Sequence, residues 1–266
     1  MKKLAPLMVL LAAVLWGSNG VFVNLMADSG FSSIERTSIR MVLAVFMEAL
    51  ILSVTDKESF RIDKKGLLWS AAIGIFGMYL FLVLYTLAIA RVGMGTAGVL
   101  IYLMPTIVMI YSCLFQKERF TLIKGIALLL NLGGCALVSG IASGGGDDFL
   151  GILCGVLAAF FYAFNNIAVA HGLRKYLATT KMFYPALFAG MSALVCLCLF
   201  SDIGMIMRRL TEDPKLILFL MLWALCCSIL TYYLFNTAIL SGYRHGFFVI
   251  DIRAGGGCTV RCVPVQ

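Results

Sequence analysis

The sequence predicts an all-α integral membrane protein, and three observations lead there. Of 266 residues, 62% are hydrophobic and only 13% are charged, against ~25% charged in soluble domains. Mean hydropathy is +0.99. The apolar residues fall in long runs, enough for about eight segments of the ~20 residues that an α-helix needs to cross hydrocarbon. Such runs exclude a soluble globular domain, a disordered chain and an outer-membrane barrel, whose strands alternate polar and apolar residues. Lipid leaves the helix as the solution, because each backbone hydrogen bond must close inside its own segment.

The segments read in order as 4–27, 33–54, 67–90, 94–115, 121–141, 149–170, 181–202 and 215–240. The first follows Met1-Lys2-Lys3 and mimics a signal peptide, but no convincing cleavage site precedes the second segment, so it reads as a retained span. With the N-terminus in the cytoplasm, thirteen of the 21 Lys and Arg fall inside and six outside, and the last two lie beyond residue 242. That bias sets the orientation. Arg208 and Arg209 are outside by alternation alone. The net charge of +8 reads as this loop asymmetry and not as a nucleic-acid surface, because no Lys/Arg run is interleaved with aromatics. Seven of nine cysteines (113, 135, 154, 196, 198, 226 and 227) lie in apolar segments, where Cys acts as a small hydrophobe. None has C-x-x-C spacing, so disulfides, a metal and a cofactor are not expected.

An internal repeat organises the segments. At an offset of 146, Leu11, Ala12, Ala13, Asn19 and Val23 meet Leu157, Ala158, Ala159, Asn165 and Val169, and Trp16 meets Tyr162. At an offset of 150, Leu80, Leu84, Ala88 and Ile89 meet Leu230, Leu234, Ala238 and Ile239. A first repeat of five spans (1–142) is odd, so the second (149–242) starts from the opposite side. The expectation is a 5+5 inverted-repeat, ten-helix architecture, truncated in its second repeat to three spans. Such pairs place the substrate site at the repeat interface near the bilayer midplane.

Several short motifs resemble the EamA-like family of the drug/metabolite transporter superfamily. They are Leu15-Trp16-Gly17-Ser18-Asn19, Ile39-Arg40-Met41, Tyr85-Thr86-Leu87-Ala88, and Met104-Pro105 followed by Gln116-Lys117-Glu118-Arg119. The resemblance covers about residues 4–242, and the order and spacing carry it more than any one motif. It implies ten spans, two inverted repeats, a central cavity and a metabolite or amino-acid cargo. After Gly242 the family pattern would continue with a ninth span bearing Glu-Pro-Val-Val or similar, whereas 243–266 is polar and rich in Gly and Arg. Arg253-Ala254-Gly255-Gly256 is encodable as AGA GCC GGT GGT, and one base forward the same bases read Glu-Pro-Val-Val. The tail is therefore expected to be frameshifted and polar.

Candidate site residues follow from polar groups inside apolar segments. Asn19 and Asn165 hold matching positions in the two repeats. They either join helices, at about 0.6–2 kcal/mol per interhelical bond, or bind polar groups of a substrate. Trp16 and Tyr162 lie one turn away and serve as packing or as a substrate wall. Arg36 and Arg40 share a face of the second segment, and charges there face an interior or snorkel outward. Glu48 is a proton site or an inner-interface carboxylate. Pro105 removes a backbone donor and should bend the fourth segment, flanked by Tyr102 and Thr106. Tyr79, Tyr85, Tyr232, Tyr233 and Asn236 are polar handles on the third and eighth segments.

No Ser/His/Asp set, paired intramembrane carboxylates or phosphate loop can be assembled. The expected function is a secondary transporter in the plasma or inner membrane, moving a small metabolite such as an amino acid by alternating access. A small-molecule substrate and the lipid bilayer are its implied partners, a homodimer is compatible, and nucleic acid is not expected. The rivals are a membrane enzyme modifying lipid, which would need a His or carboxylate cluster at one face, and a non-functional truncated fragment. Single-cysteine labelling tests the topology: position 145 should react in intact cells, and reaction only after permeabilisation would reverse the orientation.

Overall fold

The computed structural model describes residues 5–26, 29–55, 62–115, 121–138, 148–231 and 233–234, and the described residues form helices without strands. The first segment is α1 (Ala5–Gly17) and α2 (Asn19–Leu25), and the second is α3 (Ser33–Thr55). A long third and fourth run comprises α4 (Lys64–Ala72), a π-helical stretch (Ile73–Leu80), α5 (Phe81–Ile101) and α6 (Leu103–Phe115). Then come α7 (Leu122–Val138), α8 (Phe149–Gly172), α9 (Ala178–Phe200), α10 (Ile203–Glu212), α11 (Pro214–Ala224) and a second π-helical stretch, Leu225–Leu230. The loop around Gly145 and the tail 243–266 lie outside the described residues.

Among the described residues, four helical runs can cross a membrane by length and composition: Pro6–Leu25, Lys64–Phe115, Phe149–Gly172 and Thr179–Phe200. A fifth follows if the pair α10 and α11 counts as one bent span. The 52-residue run Lys64–Phe115 would measure ~78 Å as a straight helix, more than twice the ~30 Å of hydrocarbon. It is broken at Gly93, whose φ of 82° and ψ of 163° suit a residue without Cβ. A second break falls at Tyr102. There α5 ends at Ile101, whose carbonyl would bond the N–H that Pro105 lacks. The bend expected from Pro105 therefore sits one turn before it, and Pro105 itself occupies the first turn of α6.

Side chains cap the helix starts. Ser32 and Glu35 form a capping box at α3: the Glu35 N–H donates to Ser32 Oγ at 3.1 Å, and the Ser32 N–H donates to Glu35 Oε2 at 2.7 Å. Asp63, Asp148, Asp202 and Asp213 accept backbone N–H groups at the starts of α4, α8, α10 and α11, where an anion also suits the helix dipole.

Small residues let the helices approach closely, as membrane bundles require. A Cβ on Gly77 would lie 2.8 Å from Asn165 Cβ, and one on Gly74 only 2.3 Å from the Pro185 carbonyl oxygen. Across the interface of α3 and α9, a Cβ on Gly190 would lie 2.8 Å from Val45 Cγ2.

The third segment and α8 are joined at both ends by a reciprocal clamp. Asp63, which caps α4, pairs with Lys175 at 2.5 Å and accepts from the Tyr176 hydroxyl, just past the end of α8. Asp148, which caps α8, pairs with Arg91. Hydrogen bonds from Lys175, Tyr176 and the Gly66 N–H hold the Asp63 carboxyl well below the usual carboxylate range. Arg91 does the same for Asp148. A depressed folded-state pKa stabilises above the unfolded value of ~3.9 and ceases to do so as pH falls through the folded value. Asp63→Asn should therefore lower the unfolding temperature in detergent by a constant amount between about pH 5.5 and 8. The gap to the parent should narrow below about pH 4 and at high salt, since the pair is exposed. Because Asn caps as well as Asp, the absence of any gap at neutral pH would show that Asp63 acts only as a cap.

Candidate functional site

A break in the first segment creates the site. The Ser18 hydroxyl bonds the Leu15 carbonyl at 2.7 Å, competing with the helical ladder, and the Cys227 thiol donates to the same carbonyl at 3.3 Å. Helix α2 then starts at Asn19, with half-buried Trp16 a turn earlier. The Asn19 Oδ1 accepts a hydrogen bond from the Trp223 indole N–H at 2.9 Å. Trp223 is 1% exposed, and its ring stacks on Phe22. The Arg40 guanidinium lies 4.8 Å from the Trp223 ring centroid, and Arg40 Nη1 donates to Ser228 Oγ at 3.2 Å. One indole thus connects the first, second and eighth segments.

Arg40 and Arg36 are both buried, so neither snorkels out of the protein. Arg36 donates to the Val23 carbonyl at 3.3 Å and to Ser33 Oγ at 3.1 Å, capping the end of α2 with a cation. Separate hydroxyl pairs join the second segment to the third. Thr37 donates to Thr86 at 3.0 Å, and the Ser38 and Tyr79 hydroxyls are 2.8 Å apart.

A second, smaller group lies toward the opposite end of the bundle. Asn165 packs on Gly77. Tyr162, one turn away, stacks on Phe81 at 4.8 Å between centroids, and Phe81 stacks in turn on Tyr85. Among the described residues no hydrogen bond engages the Asn165 amide. From the helix ends, Asn165 lies seven residues, or ~10 Å, from the end of α8.

The structure thus brings Asn19 and Arg40 together through Trp223, pairs Tyr79 with Ser38, and seats Asn165 on Gly77, one turn from Tyr162 on the same helix. Tyr102 does not join them: it is 67% exposed, and its carbonyl accepts from Asn131 at 2.7 Å. Pro105 is exposed as well. Glu48 is partly buried on the far half of α3. Tyr232 and Asn236 lie outside the described residues. Trp223, Ser228 and Thr37 were not singled out by sequence. One signal was present: Trp223, Cys227 and Thr231 follow at i, i+4 and i+8, a single helical face, and all three are buried.

A buried guanidinium, two amides and aromatic faces, set in an all-helical apolar bundle, mark a multi-pass membrane protein with polar groups among its packed helices. The EamA-like transporter family matches residues 3–140, and the chain belongs to that family. It is 26% identical over 184 residues to an uncharacterized transporter of Bacillus subtilis, YxxF, covering 67% of this chain and 58% of that protein. It is 28% identical to an uncharacterized inner membrane transporter of Salmonella typhimurium, YicL, covering 61% and 57%. An Archaeoglobus fulgidus protein named as an uncharacterized transporter is 32% identical over 41% of this chain and 38% of its own length. The matches therefore span under three fifths of these relatives' lengths. A solved crystal structure covers 97% of this chain and 92% of its own, with a TM-score of 0.52 at 17% identity, which is a likeness of fold.

Proposed function

We propose that the protein is a secondary transporter that moves a small polar metabolite, an amino acid or similar, by alternating access between two inverted repeats. The observation that carries this reading is the symmetry of the contacts. If segments one, two and three correspond to six, seven and eight, contacts should recur in related pairs. The third segment packs on α8 and α9, and the eighth packs correspondingly on α1 and α3. Segments two and seven would pack on each other across the axis. Helices α3 and α9 do so, both are 23 residues long, and they start 145 positions apart. At that offset Val45 corresponds to Gly190, the residue it touches. The π-helical stretches end at Leu80 and Leu230, 150 positions apart, which is the offset found in the sequence.

Loop contacts support eight passes with alternating ends. Asp63 meets Lys175 and Tyr176 at one end. Arg91 meets Asp148, and Arg209 meets Ser29, at the other. With repeats at 1–142 and 149–242 and the N-terminus in the cytoplasm, the Asn19 group lies toward the outside and the Asn165 group toward the inside. The residue corresponding to Trp223 at an offset of 150 is Ile73, which has no donor. Asn19 is therefore held while Asn165 is left open to cargo. Arg40 offers a charge-assisted donor for a carboxylate, and a gradient or exchange drives the cycle.

Reconstitution into proteoliposomes tests this reading. Preloaded amino acids should accelerate uptake of labelled ones by exchange. Asn165→Leu and Arg40→Leu should each lower that uptake by about tenfold or more, as loss of a polar contact to bound cargo implies, with membrane yield near the parent level for Asn165→Leu and uptake scored per folded protein for Arg40→Leu. No exchange across a panel of amino acids and small carboxylates, or unchanged uptake in both variants, would overturn it.

A further inference from the structure

We infer that α10 is a membrane-surface helix, lying in the bilayer plane at the headgroup boundary, with the lipid of that leaflet as its partner. This inference depends on the chain being a membrane protein and not on its being a transporter. Helix α10 connects α9 to α11 and is bent by 102° from the run Pro214–Leu230. A helix at right angles to a span, with a membrane helix at each end, runs along the surface.

Its side chains suit that place. Ile203, Ile206, Met207 and Leu210 repeat at i, i+3, i+4 and i+7, one continuous apolar stripe. Half of the stripe is seated on the protein: Ile206 is buried in the core, and Leu210 packs against it. The other half is open, with Ile203 47% and Met207 56% exposed. The neighbouring end of α9 is apolar and open too, with Leu199 69% and Phe200 81% exposed. An apolar surface continuous with a membrane helix has acyl chains as its neighbour. The opposite face carries Arg208 and Glu212, an exposed i,i+4 ion pair at 2.8 Å, together with Thr211. Met205, 52% exposed, is the one apolar residue off the stripe.

Two features orient the helix. Arg209 Nη1 donates to the Ser29 carbonyl at 3.5 Å, and its guanidinium lies 5.9 Å from the Phe31 ring centroid. Helix α10 is thereby held to the turn between the first two segments. Lys215, in the first turn of α11, places a cation at the end of α10, and Arg208 places one on its outer face, the side on which headgroup phosphates would lie. Amphipathic helices with an apolar face and a charged back bind membranes in this manner.

Photo-crosslinking decides the matter. The full chain, carrying benzoylphenylalanine singly at positions 203, 207, 208 or 212, would be reconstituted in phosphatidylcholine/phosphatidylglycerol vesicles and irradiated. Lipid adducts would be counted by mass spectrometry, with the unfolding temperature of each variant checked against the parent. Positions 203 and 207 should give about tenfold more lipid adduct than 208 and 212, as burial of one face implies. Equal labelling at all four, no lipid adduct at 203 and 207, or protein–protein adducts at 207 would each overturn the proposal, the last by showing that a second copy covers the stripe.

Discussion

The hydrogen bond between the Trp223 indole and Asn19, with Arg40 lying over the same ring, is the interaction on which the rest of the bundle depends. Hydrocarbon offers no water to an indole N–H, an amide or a guanidinium, so each must find its partner within the protein. A charge at mid-helix costs about 2.5–3.5 kcal/mol on insertion scales. A desolvated cation–π contact returns ~2 kcal/mol, and a hydrogen bond from a charged donor ~1.5–3 kcal/mol. Arg40 has both, through Trp223 and Ser228. Its burial is therefore near balance only while α11 and its π-helical continuation stay against α3. Packing of the first and eighth segments follows from the same contact, because Asn19 is half-buried and bonded to the eighth segment.

A second constraint is closeness. The third segment meets α8 and α9 through Gly74 and Gly77, where a side chain would collide with the Pro185 carbonyl and Asn165. Helix ends are then tied by capping aspartates that pair with cations across to a neighbour. Interior packing sets the distances, and exposed ion pairs, which are screened by water and salt, mainly set register at the ends. Function in the proposed reading needs this division. A rigid pairing of helices with polar groups at two depths gives cargo places to bind while the repeats move about the axis between Val45 and Gly190.

Much of the fold was legible in the residues, and the reasons differ by element. Segment 33–54 corresponds to α3 at Ser33–Thr55, and 149–170 to α8 at Phe149–Gly172, because capping residues mark their starts and hydrophobicity marks their length. The Pro105 bend was legible in its consequence, though it falls at Tyr102. Inward faces were far harder to read. A segment that is apolar all round carries no periodic signal to distinguish lipid from protein, so Tyr102 reads like a cavity residue although it is exposed, and Trp223 passes as one more apolar residue. The π-helical stretches have no compositional mark either. Helix α10 was not legible as a helix: its ten residues are too few for a span, so the stretch reads as the loop bearing Arg208 and Arg209.

The central claim is that Trp223 and Asn19 are energetically one unit. A double-mutant cycle of Asn19→Leu and Trp223→Phe, followed by reversible unfolding in mixed micelles, measures it directly. Phe keeps an aromatic ring near Arg40 and removes the indole donor, and the packing lost with the smaller ring is common to both arms of the cycle and cancels from the coupling. The account predicts a coupling energy of about 0.6–2 kcal/mol, the range for interhelical hydrogen bonds in membranes. Strictly additive losses, with coupling near zero, would contradict it and reduce the pair to neighbours in a packed interface.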